Sequence, residues 1–507
     1  MSENARKVAE IRRKLGHPVL DGDGHILEFI PAVLDYLKQV GGAKVAERYM
    51  ASLQAGGGHN FDGGRAGGAK AGWYGMTREE RRDKRLTRPS FWNWPTGRTR
   101  DRATIMLPDL LRSRLDEIGI DFSVVYTSMG LHIIRNPDEE IRRAGCRALN
   151  LMYSEIFRGH SSRMTPAALI PMHTPQEAIE ELDYAKSLGL KAIMIGSIVR
   201  RPIPEVLRKY PEAAGYAFWV DNLALGSLYD YDPFWQRCVD HKIAVTAHSG
   251  SLGWGARAQP ENFVYNHIGH FAAAGEAFCK GLVIGGVTHR FPTLNFAFLE
   301  GGVGWAVNLY NDIVEHWEKR NRKSMERHLA PGNLDHKLLR ELFEQFGGKV
   351  AEGRLDRLGN NAGQAFDPVE EDAAIDEWSA VRIEEAKDLY KLFIPNFYFG
   401  CEADDRMTSV AFNSRLNHFD ARLKAIFSSD IGHWDVPDIS GVVLEAHELV
   451  EHGLLSEEDF REFMFANPAR LHAGMNPDFF KGTVVEDAVA KLLAEKPAAR
   501  VASGATH

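Results

Sequence analysis

The sequence predicts an α/β fold with a parallel sheet, and three observations carry this prediction. Short apolar runs alternate with longer amphipathic segments along most of the 507-residue chain, as in folds that join parallel strands through helices. Most of these apolar runs are continuous rather than alternating, which is typical of strands buried on both faces. Eight such runs can be counted, and eight strands with helical crossovers make a (β/α)8 barrel.

The candidate strands are bounded by polar, glycine or proline residues. In chain order they are 18–23, 121–127, 167–171, 190–196, 242–247, 294–299, 396–401 and 424–429. Two of the intervening segments, 138–158 and 175–188, have a clear helical pattern. The second begins at Pro175 and stops at Gly189, which are residues favoured at the start and just past the end of a helix. We therefore expect a distorted barrel over residues 18–475.

Two long segments explain why the chain is about twice as long as an ordinary barrel of ~250 residues. Residues 52–105 join a glycine-rich stretch to a basic, aromatic-rich one and predict a long first βα loop at the active site. Residues 306–392, between the sixth and seventh strands, predict a helical insertion that serves as a cap or an oligomer interface. Its helical patterns lie at 316–328, 335–346 and 376–393. Residues 476–507 are predicted to be a C-terminal tail.

Composition narrows the class of protein. The 44% apolar and 26% charged fractions are those of an average globular chain. A net charge of -8 leaves no basic excess, so nucleic acid is not an expected partner. No run approaches the ~20 apolar residues of a membrane span, and the charged N-terminal stretch lacks the apolar core of a secretory signal. Four widely spaced cysteines indicate reduced thiols, so we expect a cytoplasmic protein.

Candidate metal ligands lie where strands end. In a barrel the loops after the strands open on one face, where active sites are found. Asp23 and His25 lie at the end of the first strand, His248 follows the fifth, and Asp430 follows the eighth. Each alone is explained as well by a polar turn, a core histidine or a helix N-cap. Together they are a set of carboxylates and imidazoles at one mouth, which suits Zn²⁺ or the harder ion Mn²⁺.

These residues resemble the motifs of the amidohydrolase superfamily, and in particular its amidohydrolase-2 branch. The family carries I-D-x-H-x-H at strand one, where this chain has L-D-G-D-G-H, with Asp23 replacing the first histidine and His25 matching the second. Similar segments include L-D-E-I-G-I-D-F, H-R-F-P-T-L-N-F-A-F-L-E-G-G, F-S-S-D-I-G-H and N-P-A-R-L. The branch includes aminocarboxymuconate-semialdehyde decarboxylase and the hydroxybenzoate-type nonoxidative decarboxylases. The resemblance implies one divalent ion, Zn²⁺ first and Mn²⁺ as the alternative, held by Asp23, His25, His248 and Asp430.

The sequence departs from the branch after the sixth strand. Several members carry a histidine there, whereas this chain has Glu300 in L-E-G-G. Either Glu300 takes part of that role, or a nearby histidine such as His267 or His270 substitutes, or the chemistry differs. The alternative for Glu300 is a hydrogen-bond acceptor that orients a ligand histidine. The predicted catalytic residues are therefore Asp430, as general base, with Glu300 and His270.

Substrate contacts are expected from the first βα loop and from the F-S-S-D-I-G-H motif after the eighth strand. The stretch 78–104 is rich in arginine, whose guanidinium group binds carboxylates in a bidentate manner. Arg88 and Arg98 are the candidates there, and His433 of F-S-S-D-I-G-H is the third. The alternative for 78–86 is a solvated charged helix.

From this resemblance we expect a metal-dependent hydrolase, in which the ion activates water for attack on a carbonyl of a carboxylated or aromatic small molecule. The first alternative is a metal-dependent nonoxidative decarboxylase of a hydroxylated aromatic or muconate-type acid. The second is a catalytically silent barrel that acts as a binding protein, against which the complete ligand set argues. Neither nucleic acid nor membrane is an expected partner, and the chain is expected to form a homodimer or a larger homo-oligomer.

Overall fold

The computed structural model describes residues 3–54, 73, 75–92, 94–213, 217–358 and 375–495. Eight parallel strands form one sheet in the order β1-β2-β3-β4-β7-β8-β9-β10. The strands are β1 Leu20–Ile26, β2 Phe122–Thr127, β3 Met164–Ile170, β4 Ala192–Ile195, β5 Val199–Pro202, β6 Phe218–Asp221, β7 Val245–Ala247, β8 Phe296–Phe298, β9 Phe397–Glu402 and β10 Lys424–Ser428. At the two ends of the sheet the backbone N–H of Asp430 donates to the carbonyl of Asp23 at 3.0 Å. The sheet is thus a nearly closed barrel, and the predicted fold class is confirmed.

Each of the eight predicted strands overlaps an observed barrel strand. Their continuous apolar character reflects burial on both faces, as in β2, where all six residues are buried. β3 starts three residues earlier than predicted because Met164 already pairs with Ser123 of β2. The antiparallel pair β5–β6, between β4 and β7, was not predicted. Its sequence V-R-R-P mixes charge and proline, which obscures a strand pattern.

Helices connect the strands, and their caps can be read from the sequence. The side chain of Asp138 accepts from the backbone N–H of Ile141, and Thr174 does the same for Glu177. Such caps satisfy backbone donors that a helix leaves free at its start. The α-helices are Glu3–Lys14, Ile30–Gly41, Ala43–Gln54, Arg78–Asp83, Thr99–Thr104, Pro108–Ile118, Gly130–Ile133, Glu139–Ile156, Pro175–Ser187, Pro204–Lys209, Asp232–His241, Phe263–His267, His270–Ile284, Val287–Arg290, Gly304–Arg320, Arg322–His328, His336–Phe346, Gly348–Ala351, Asp388–Phe393, Thr408–Phe412, Val442–Glu451, Glu457–Arg461, Asn467–Ala473 and Glu486–Ala494. Among the helices described, none is long and apolar enough to cross a membrane.

The two long segments differ in how they meet the barrel. The glycine-rich part of the first loop lies outside the described residues, whereas a capping box between Thr77 and Glu80 starts a short charged helix at Arg78. After β8, the helix Gly304–Arg320 packs an apolar face into the core. The predicted helix over 376–393 is wrong in its first part, because residues 376–387 form turns and only Asp388–Phe393 is helical.

The chain turns at Arg382, whose φ is 53°, and the preceding Val381 is buried in the core. This packing overrides the local helical pattern there. In the C-terminal segment, the helix Glu486–Ala494 buries Val489 and Leu492, and residues 496–507 lie outside the described part. All four cysteines are buried and unpaired with one another.

Candidate metal centre and active-site cavity

The carboxylate of Asp21 joins the ends of three barrel strands. Its oxygens accept hydrogen bonds from Ser123 Oγ of β2 (2.8 Å) and from the backbone N–H and Oγ of Ser429 beside β10 (2.9 and 2.8 Å). The β1 register shifts between Asp21 and Gly24, and a Cβ at Gly24 would lie 2.5 Å from Asp21 Oδ2. Only glycine fits there. Burial raises the pKa of Asp21 to about 6, although these hydrogen bonds oppose the rise.

Three other candidate ligand side chains lie around the imidazole of His25. Its Nε2 lies 3.1 Å from His248 Nε2 and 3.4 Å from both Asp23 Oδ1 and Asp430 Oδ1. Ligand atoms that share one ion at about 2.0–2.2 Å are about 3.0–3.5 Å apart. Both oxygens of Asp23 are buried without a hydrogen-bond partner among the described residues. A buried, unpartnered carboxylate is unfavourable unless a cation compensates it, so the cluster fits a divalent ion.

His25 and His248 each have an oxygen near the ring nitrogen that points away from the cluster, as metal-binding histidines usually do. His25 Nδ1 lies 3.3 Å from the carbonyl oxygen of Thr127, to which it donates. His248 Nδ1 lies 3.3 Å from Glu300 Oε2. With Nδ1 carrying the proton in each ring, the two Nε2 atoms are left as lone-pair donors facing the cluster.

Glu300, Asp430 and His433 form the other half of the site. His433 Nδ1 lies 2.6 Å from Asp430 Oδ1 and 3.2 Å from Glu300 Oε1. Burial raises the pKa of Asp430 well above its usual range. Burial opposes protonation of His433, but Asp430 and Glu300 outweigh it and raise the pKa of the imidazole. Asp430 and His433 therefore form a close pair of buried groups, whose charged imidazole form is favoured by the two carboxylates.

The backbone is strained at both of these carboxylates. Glu300 has a φ of 59° and Asp430 a φ of 45°, in the left-handed region that residues with a Cβ seldom adopt. Such strain persists where the surrounding structure imposes it, and it concentrates at active sites and ligand clamps. The two carboxylates are thus held towards the cluster by the fold.

The structure brings six of the sequence-predicted site residues into two groups that share His25: Asp23, His25 and His248 form one, and His25, Glu300, Asp430 and His433 form the other. His270 lies behind them, with its ring 4.6 Å from that of His267, which lines the cavity beside the cluster. Gly250 lets the His270 ring approach the backbone, since a Cβ there would lie 2.4 Å from His270 Nδ1.

The two predicted substrate-binding arginines lie outside that cavity lining. Arg88 borders a neighbouring groove, with its guanidinium 4.8 Å from the centre of the Phe91 ring. Arg98 forms an ion pair of 2.7 Å with Asp438.

The cavity at the cluster is small and largely aromatic. Its volume is about 40 Å³, which is room for a few water molecules. Trp94 from the first loop, Phe263 and Phe271 from two helices after β7, and Trp434 from the loop after β10 line it, together with Glu300, Asp430 and His433. The first loop thus does border the candidate active site.

Two further acids near the cluster were missed by sequence reasoning. Glu402 and Asp435 place carboxylate oxygens within 4.8 Å of one another and of Asp430. Glu402 ends β9, so the rule that chemistry lies at strand ends could have found it. Burial, with the charge of Asp435, raises the pKa of Glu402 to about 8.

A barrel with buried carboxylates and imidazoles at the carboxyl ends of its strands defines a metal-dependent barrel enzyme. A family model described as Amidohydrolase matches residues 92–348. The chain belongs to this amidohydrolase-2 family and is a metal-dependent enzyme of the hydrolase or carboxy-lyase class. The family and the cluster support a single divalent ion as its cofactor. No curated protein matches the chain.

Several solved structures are similar to the chain at low sequence identity. An amidohydrolase from Mycobacterium avium subsp. paratuberculosis K-10 is 16% identical, with a TM-score of 0.50 over 90% of this chain and 98% of the other. A dihydroxybenzoic acid decarboxylase from Polaromonas sp. JS666, bound to manganese and 2-nitroresorcinol, is 13% identical, with a TM-score of 0.46 over 90% and 97%. The 5-carboxyvanillate decarboxylase from Sphingomonas paucimobilis is 12% identical, with a TM-score of 0.45 over 90% and 98%.

Proposed function

We propose that the protein is a metal-dependent hydrolase that acts on a carbonyl group of a carboxylated or aromatic small molecule. The observation that carries this proposal is the size of the cavity. A volume of about 40 Å³ accommodates a reacting group and water but not an aromatic ring. Decarboxylation of a hydroxylated aromatic acid, with its carboxylate and ring hydroxyl both at the ion, would bring the ring itself to the cluster. Hydrolysis brings only the carbonyl group there.

The ligands proposed for the ion are Asp23, His25, His248 and Asp430. Two imidazoles and two carboxylates suit Zn²⁺, which we propose first, and also Mn²⁺. When bound, the ion supplies a Lewis acid that activates water and polarises a carbonyl. In this assignment Glu300 is a positioning residue, because its Oε2 meets the Nδ1 of His248 and holds the ring with Nε2 towards the ion.

Asp430 is the proposed general base. Its Oδ1 lies 2.6 Å from His433 Nδ1, so a proton taken from water can be shared with the imidazole and later returned to a leaving group. The other ring nitrogen, Nε2, faces Ser128 Oγ at 3.4 Å. His433 therefore acts in proton transfer in this proposal, besides the substrate contact predicted for it.

Decarboxylation is the second candidate, and the aromatic lining of the cavity favours it. Trp94, Phe263, Phe271 and Trp434 would stack on a planar aromatic acid if the two tryptophans moved apart. His433, between Asp430 and Glu300, would then be the acid that protonates the ring carbon.

The experiment that separates the candidates uses purified protein loaded with Zn²⁺ or Mn²⁺. Hydrolysis of a panel of esters, amides and lactones is compared with CO₂ release from hydroxybenzoates. We expect hydrolysis that is lost in His248→Ala, together with the metal, and retained in His452→Ala, which removes an exposed histidine. CO₂ release without hydrolysis would establish the second candidate. Full activity in His248→Ala would refute the site.

We also propose that the chain acts as a homodimer or larger homo-oligomer. The helix His336–Phe346 supports this, because Leu338, Leu342 and Phe346 are exposed on it.

A further inference from the structure

A larger groove lies beside the metal cavity, and we refer to it as the outer groove. It has a volume of about 430 Å³ and is lined in part by Phe91, Trp92, Phe263, Val264 and Trp434. Phe263 and Trp434 also line the cavity of about 40 Å³ at the cluster. The two spaces therefore adjoin, with one phenylalanine and one tryptophan at the boundary between them.

The walls of the outer groove are mainly apolar, and the charged residues of the lining are Arg88 and Glu261. Trp92 is 92% exposed and Val264 59% exposed, and clustered exposed apolar side chains mark binding surfaces. Glu261, the acid in this wall, accepts hydrogen bonds from Arg78 Nε (2.8 Å) and Arg82 Nε (2.5 Å). Because these arginines neutralise it, the groove offers mainly aromatic and aliphatic surface to a ligand.

Trp92 is held in an unfavourable backbone conformation at this surface. Its φ is 49°, which is a genuine outlier for so bulky a residue. Residues kept in such conformations cluster at ligand clamps as well as at active sites. The indole ring is thus presented to the groove at a conformational cost.

Building on the hydrolase function proposed above, we propose that the outer groove binds the apolar body of the substrate, an aromatic or aliphatic group of several carbon atoms. The cavity at the cluster is too small for a ring, whereas about 430 Å³ is within the range of small-molecule sites. The substrate itself is the occupant that this geometry favours, because the groove adjoins the place where its carbonyl reacts. Phe263 and Trp434, which line both spaces, would then contact the substrate between its apolar body and its carbonyl group.

Hydroxamates test this inference, since their head group chelates Zn²⁺ and Mn²⁺ and their tail can be varied. Acetohydroxamate carries the head alone, and 6-phenylhexanohydroxamate adds an apolar tail long enough to enter the groove. Their dissociation constants are measured by calorimetry on the Zn²⁺-loaded full chain. We expect the tail to tighten binding at least about ten-fold, because it buries apolar surface.

The quantity compared is the dissociation constant of acetohydroxamate divided by that of 6-phenylhexanohydroxamate. Val264→Asp should reduce this ratio towards one, because it places a charge in the groove wall. Ile268→Asp is the matched control, since Ile268 is similarly exposed at 69% in the same segment but is not part of the groove lining. Ile268→Asp should leave the ratio unchanged. A ratio within about two-fold of one in the native protein, or equal ratios in the two variants, would overturn the inference while leaving the hydrolase proposal intact.

Failure of the hydrolysis itself is shown by the CO₂-release assay above, whereas failure of the metal site on which the hydrolase proposal rests has a different signature. Acetohydroxamate would then show no metal-dependent binding, and 6-phenylhexanamide, which has the tail but no chelating head, would report on the groove alone. Binding of this amide that Val264→Asp weakens and Ile268→Asp does not would retain the outer groove as an apolar site. No binding of the amide would overturn it.

Discussion

Replacing Glu300 by glutamine tests whether this residue orients a metal ligand or binds the metal itself. The substitution keeps the size and the oxygen that faces His248 Nδ1 but removes the negative charge. Glu300 Oε2 lies 3.3 Å from His248 Nδ1, and Oε1 lies 3.2 Å from His433 Nδ1. A neutral amide attracts the Nδ1–H of His248 less strongly than a carboxylate does and leaves the Nε2 of this histidine a poorer electron donor to the ion.

The expected magnitude follows from this geometry. Loss of an outer-shell partner weakens metal affinity about 10- to 100-fold, which corresponds to about 1.4–2.7 kcal/mol. Removing a ligand itself should cost more, so His248→Ala sets the upper limit. Glu300→Gln should therefore fall between the native protein and His248→Ala in metal affinity. Its fold should persist, because Glu300 has no cation partner among the described residues other than these histidines.

The assay is competition for Zn²⁺ between the protein and a chromophoric chelator, with circular dichroism as a check on folding. Glu181→Gln is the matched control, because it removes a buried carboxylate that contacts Asn150 and Arg147, away from the cluster. Native affinity in Glu300→Gln would refute the positioning role. A loss equal to that of His248→Ala would show that Glu300 is a ligand.

Three other predictions concern stability and assembly. Burial lowers the pKa of His472 to about 3 from 6.5, so below pH 6.5 the unfolded chain binds a proton that the folded protein does not, and the free energy of unfolding falls as the pH drops towards 3. At pH 5 the loss should be about 2 kcal/mol. Urea unfolding should show a smaller loss in His472→Gln, and an unchanged pH dependence in this variant would contradict the assignment. Gly24→Ala should lower stability by about 1–3 kcal/mol, because its Cβ would meet Asp21 Oδ2 at 2.5 Å and Ser123 Oγ at 2.7 Å, and an unaltered melting temperature would contradict this. Leu342→Asp, on the exposed face of its helix, should shift the protein to a smaller species in size-exclusion chromatography, and an unchanged elution volume would exclude that face as the interface.

The barrel was predictable from the sequence because its signal is local. Strands buried on both faces are continuous apolar runs, and each run can be recognised without knowing its partner. The convergence of Asp23, His25, His248 and Asp430 was predictable for the same reason, since a barrel brings all its strand ends to one face. The proposed ligand set therefore followed from strand placement together with a family resemblance.

The rest of the site depends on contacts between distant segments. His433 enters the cluster because the loop after Asp430 turns back, with left-handed φ values at Asp430 (45°) and Gly432 (116°). Glu300 was predicted as a site residue, but the contacts of its two oxygens with His248 and His433 could not be predicted from the sequence. Arg98 was chosen for its charge, but its partner Asp438 lies 340 residues further along the chain. Sequence periodicity does not indicate which distant residues form such ion pairs.

The candidate metal site and the spaces that would hold a substrate are built from different parts of the chain. The cluster residues are fixed to barrel strands and to the first residues after them, where Asp21 ties β1, β2 and β10 together. The small cavity and the outer groove are closed instead by Trp92, Trp94 and Val264, which belong to long connecting segments. A scaffold that holds the ion can therefore keep one reaction while its loops change the substrate. Because the loops of this chain leave little space at the cluster and much beside it, the reacting group of its substrate should be small and the remainder large and apolar.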